Sequence, residues 1–191
     1  MNGFDSRGAE AALWLAVDVT GALALVAAAC FALGVALARP RRALPFWLGA
    51  SVGLFYLASD ERFSLHERAG RWLYARDVNA PLGLNHVDDA VLLGVVGVAV
   101  AWTLLFGREV LVSSRFAGVL GLAAVVSAIA LAIDGLAPVE GWAPRAEESV
   151  ELLGQLLLLA AFAQRWAELR LPAMPLRASV PDATPTPTGE A

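Results

Sequence analysis

Five apolar runs separated by polar joints set the pattern of this chain: residues 11–38, 43–58, 90–106, 116–133 and 150–163. Asp18 and Thr20 are the only interruptions of the first run, and the second passes directly into the polar stretch LASDERFSLHERAG, residues 57–70. A bilayer's hydrocarbon core takes about 20 helical residues at a rise of about 1.5 Å each, and flanking residues bring each run near that length. Backbone groups in lipid must be satisfied internally, and the weak alternation of a membrane barrel is absent, so the pattern predicts helices. The expectation is an all-α integral membrane bundle of five transmembrane helices over residues 1–170. The second helix should continue through about Gly70, and the fifth should cover about 146–169. Residues 171–191, rich in Pro and Thr, read as a disordered cytoplasmic tail.

Composition agrees with that reading, since 58% of the 191 residues are hydrophobic and only 17% charged. A net charge of −4 gives no electrostatic footprint for nucleic acid, so no nucleic-acid partner is expected. The single cysteine, Cys30, excludes an intramolecular disulfide and a CxxC pair, and its mid-run position predicts a small buried packing residue. The first ten residues hold one Arg against Asp5 and Glu10, so the first run is read as a retained span and not a signal peptide. Glycines at 94, 97, 118 and 121 are expected to let helices approach closely. The six tryptophans fall mostly near run ends, as an interfacial belt would.

Orientation follows from arginine, the only basic residue besides histidine. The tight joint ARPRRALP carries Arg39, Arg41 and Arg42, and the positive-inside rule places it in the cytoplasm. That side then holds eight arginines against six on the other, giving an outer N-terminus, an inner C-terminus and a multi-pass protein of the cell membrane.

With that topology the unusual polar residues gather at the outer ends: Asp18, Asp60–Glu67, His86–Asp89, Asp134 and Glu147–Glu151. Charges at the end of a membrane-length helix are costly unless they pair, bind an ion or reach water. His86 and Asp89 share a helical face, as do Glu148, Glu151 and Gln155, and Asp60, Ser64 and Glu67 would form a third stripe on a continuous second helix. Asp60, His66, Glu67, His86, Asp89, Glu148 and Glu151 are therefore the candidate metal ligands, with Glu61 as a spare carboxylate for general-base work. Oxygen and nitrogen donors of this kind suit zinc, iron or manganese. Simpler roles stand beside these: a Glu67–Arg71 surface ion pair, helix-dipole acids at Glu147 and Glu148, and a helix end at Asp134.

The segments SDERFSLHER and EESVELLG resemble a group of uncharacterised bacterial multi-pass membrane proteins that share a D-E-x4-H-E signature, here Asp60, Glu61, His66 and Glu67. The resemblance implies a bacterial inner-membrane location and carries no activity with it. From the residues, the leading expectation is an outward-facing carboxylate and histidine metal site, in an enzyme on a lipid or other amphipathic substrate. The rivals are a transporter, a non-enzymatic subunit docking a membrane-complex partner, and a haem or chlorophyll carrier using His66 and His86.

Overall fold

The computed structural model describes residues 6–78, 87–136 and 143–171, and every element among them is helical. In order these are α1 (Ser6–Ala38), α2 (Leu44–Phe63), α3 (Leu65–Tyr74) and α4 (Val87–Phe106), then a short 3-10 helix (Gly107–Val112), α5 (Ser114–Leu136) and α6 (Ala143–Arg170). Among the described residues, three stretches are long and apolar enough to cross a membrane: Ala12–Ala38, Ala90–Val112 and Ser114–Asp134. The all-helical class and the membrane character expected from the sequence are both present.

Contacts along their length give the helices their directions. Glu10 pairs with Arg145 near the start of α1 and α6, Gly21 meets Gln155 midway, and Gly34 meets Trp166 near the far ends, so α1 and α6 run parallel. Helix α5 runs antiparallel to α6, since Ser113 reaches Glu168 while Ser127 lies against Gly154. Helix α2 returns along α1, the Ser51 hydroxyl donating 3.0 Å to the Ala29 carbonyl. Helix α4 packs at the margin, through Trp102 on Gly49 of α2 and Asp88 on Gly70 of α3.

The core lies between α1, α2, α5 and α6. On α1 it is a stripe of Leu25, Ala28, Ala29, Ala32, Val35 and Ala36, the three-and-four spacing of one helical face. These small side chains let backbones close in, which is how helices gain dispersion energy where lipid removes the hydrophobic drive. Trp47 is fully buried among Phe46, Phe116 and Phe162, with ring centroids 5.0, 5.5 and 6.0 Å away.

Several expectations need correction. Trp47 is core and not interfacial belt, and Trp102 and Trp166 pack on glycines of neighbouring helices. A β-carbon added at Gly94, Gly97, Gly118 or Gly121 would meet nothing within 4 Å, whereas Gly21, Gly34, Gly49, Gly70 and Gly154 sit in tight contacts. Spacing along a helix marks a face but not which face finds a partner. Cys30 is exposed on the outside of α1, because the buried stripe passes through Ala28, Ala29 and Ala32 instead.

The second helix does not continue to Gly70. It stops at Phe63, and Ser64 takes a left-handed conformation, φ 47° and ψ 53°, before α3 begins. The Ser64 N–H still donates 2.7 Å to the Asp60 carbonyl, while Asp60 caps the new helix with its side chain.

Candidate cation site at the acidic end

The break between α2 and α3 is organised by Asp60, which is only 6% exposed. One carboxylate oxygen accepts the His66 backbone N–H at 2.8 Å and the other meets the His66 ring Nδ1 at 2.7 Å. This is N-cap chemistry carried out from across the break, satisfying a donor that the new helix leaves unpaired. An ionised carboxylate can only accept, so Nδ1 is the donor in this contact. His66 lies within electrostatic reach of Glu151 on α6.

One residue along, Glu61 reaches α6. Its carboxylate accepts from the Gln155 amide at 3.1 Å, and the same amide nitrogen reaches Glu151 at 3.4 Å. The Glu151 carboxyl also interacts with the carboxyls of both Glu61 and Glu147. Around these three, Asp18 acts electrostatically on Glu61 and Glu148, and Asp134 on Glu147 and Glu151. Acids from α1, α2, α5 and α6 thus share one end of the bundle. Gln155 is 6% exposed and holds its place because Gly21 leaves room for its amide against α1.

Arginine does not neutralise the cluster. Among the described residues no arginine is ion-paired with Glu61, Glu147, Glu148 or Glu151; Arg145 turns to Glu10 and Arg71 to Glu67. Carboxyl groups in direct contact cannot all be ionised without a shared proton or another cation between them.

The candidate ligands therefore divide. Glu61 and Glu151 come together, and Glu148 stands close enough to feel Asp18 and Glu151, with one buried carboxyl oxygen left without a hydrogen bond. Asp60 and His66 are engaged with each other. The Asp60, Ser64 and Glu67 stripe does not form, since Ser64 breaks the helix, and Glu67 instead makes a 3.1 Å surface pair with Arg71. His86 lies outside the described residues, as does the side chain of Asp89. Among the described residues, no group of three or more His, Cys, Asp or Glu side chains is arranged to hold a metal ion. Glu147, expected from the sequence as a helix-dipole acid, lies in the cluster beside Glu151. Its spacing to Glu151 and Gln155, i, i+4 and i+8, is the signal that would have placed it in the cluster.

Residues 5–166 match the domain of unknown function DUF8692. The chain belongs to that family. The match runs from the start of α1 to near the end of α6, so it takes in every acid of the cluster. No curated protein and no solved structure matches the chain.

Proposed function

We propose that this DUF8692 member is a five-span membrane protein whose acidic end is a cation-binding site. In this reading α1, α2, α4, α5 and α6 cross the bilayer, the N-terminus lies outside, and the acidic end faces outward. Three paired contacts support α6 as a span, because they hold it alongside the membrane-length α1 from Glu10–Arg145 to Gly34–Trp166. The three-arginine joint Arg39–Arg42 supports the orientation.

One observation carries the function: a single Gln155 amide nitrogen lies 3.1 Å from the Glu61 carboxylate of α2 and 3.4 Å from that of Glu151 on α6, so the two acids are gathered at one point. Buried acids in mutual contact hold a proton or a metal ion, and they exchange one for the other, because a metal takes deprotonated ligands. The resting occupant is the shared proton. A divalent ion of the zinc, iron or manganese class replaces it once Glu61, Glu147 and Glu151 rotate toward a common centre, with Nε2 of a neutral His66 as a nitrogen donor. Asp60 then plays the orienting part of the carboxylate behind a metal-binding histidine.

The test is calorimetric titration of the purified protein with Zn²⁺ and Mn²⁺ in buffers of different ionisation enthalpy. Saturable binding with proton release, lost in Glu151→Gln, is the expected result. Metal binding without proton release, or no binding, would overturn the exchange.

A further inference from the structure

The opposite end of the bundle has the opposite charge. Seven arginines (39, 41, 42, 108, 115, 165 and 170) share it with two acids, Glu109 and Glu168. Both acids are taken: Arg39 lies 3.5 Å from Glu109 and Arg165 lies 2.7 Å from Glu168. Five guanidinium groups are left there without a carboxylate partner among the described residues.

Between α1 and α6 at this end lies a cleft of about 330 Å³, lined by Gly34, Leu37, Ala38, Trp166, Leu169 and Arg170. A β-carbon at Gly34 would sit 2.8 Å from the Trp166 ring, so the indole lies directly on the α1 backbone where the two line the cleft. Leucine, alanine and tryptophan side chains supply most of the lining, and Leu37 among them is 79% exposed. The only charge on the lining is Arg170, whose guanidinium carbon stands 4.2 Å from the Trp166 ring centroid. Stacking of this kind holds the guanidinium over the ring while its N–H groups, which point outward in its own plane, stay available for a second partner.

We propose that this cleft binds an anionic phospholipid. The headgroup phosphate is taken by the Arg170 fork, and the upper part of one acyl chain lies against Leu37, Trp166 and Leu169. Arginine suits phosphate because its planar fork offers two parallel donors. Basic clefts between membrane helices on the cytoplasmic side are where acidic headgroups are held, each arginine near an anionic surface contributing about 1 kcal/mol. The volume sits at the small end of the range for ligand clefts, about 300–1,000 Å³, so it seats one chain and does not engulf the lipid. The unpaired Arg41, Arg42, Arg108 and Arg115 raise the local potential that favours the anion over a zwitterion. This inference rests on reading α1 and α6 as membrane spans but not on the acidic-end cation site.

Delipidated protein in detergent is titrated with dioctanoyl phosphatidylglycerol, dioctanoyl phosphatidylcholine and inorganic phosphate, with bound ligand counted by native mass spectrometry. The expected result is saturable binding of phosphatidylglycerol and weak retention of phosphatidylcholine. Arg170→Gln should weaken phosphatidylglycerol about fivefold, the loss for one basic residue, and Leu37→Trp, which fills the cleft from its exposed lip, should weaken both lipids. Equal binding of the two lipids by the wild type, or an unaltered Arg170→Gln titration, overturns the proposal. Inorganic phosphate binding as tightly as the lipid also overturns it, because the site would then be one for free phosphate. The span reading fails by a separate measurement, the labelling of Arg41 and Asp77 positions described below.

Discussion

Gly21 of α1 and Gln155 of α6 lie so close that a β-carbon on the first would occupy the place of the second's amide oxygen. The amide is held by that contact on one side and by Glu61 and Glu151 on the other. Gly21→Ala should therefore push the amide away and uncouple α2 from α6, at about 1–3 kcal/mol for an overpacked site. Gly94→Ala is the control, since its β-carbon meets nothing and alanine is the better helix former by about 1 kcal/mol. Thermal unfolding in detergent compares them. Equal behaviour of the two variants would mean that the Gly21 contact does not hold the cluster together.

Asp60 anchors both the amide and the ring of His66. Asp60→Ala should cost about 1–2 kcal/mol, as for loss of an N-cap. It should also speed hydrogen exchange at the His66 amide well before exchange rises in α2. Uniform acceleration across both helices would show instead that the break is not a local unit.

At the arginine-bearing end, Arg165 is 5% exposed, its only charged partner among the described residues is Glu168, and two of its donor nitrogens have no hydrogen bond. Glu168→Gln should destabilise by roughly 3–5 kcal/mol, because it leaves a buried charge uncompensated. Arg165→Met, which removes the charge and keeps the bulk, should cost much less. A Glu168→Gln variant as stable as wild type would contradict the pairing.

Gly70 is a close point of approach between α3 and α4. A β-carbon there would lie 2.6 Å from the Asp88 β-carbon and 2.9 Å from its backbone nitrogen and α-carbon, and backbone cannot swing aside. Gly70→Ala should separate the two helices and lower stability by about 1–3 kcal/mol. Cysteines placed on α3 and α4 should then cross-link more slowly. Unchanged cross-linking would mean that the helices meet elsewhere.

Orientation is tested by cysteine labelling in intact cells, after Cys30 is replaced. A cysteine at Asp77 should react with an impermeant thiol reagent and one at Arg41 should not. Reverse labelling overturns the outward N-terminus, and equal labelling of both positions overturns the span reading.

The runs of apolar residues determined, without any tertiary knowledge, that the chain is helical, apolar enough over long stretches to cross a membrane, and polar at its helix ends. Composition and length act over twenty residues at once, so local errors average out. The charge asymmetry was legible for the same reason, because arginine and acid positions alternate with the runs. Single-residue geometry was not. That Ser64 would turn left-handed and end α2 depended on Asp60 finding His66, a contact that competes with one more turn of helix. Which glycines pack, and that Trp47 is buried while Cys30 is exposed, depended on which helix lies against which face. The joining of Glu61 to Glu147 and Glu151 was also decided in three dimensions. Residues ninety apart meet there only because α6 runs parallel to α1, α2 runs back along it, and Gly21 leaves space for one amide between them.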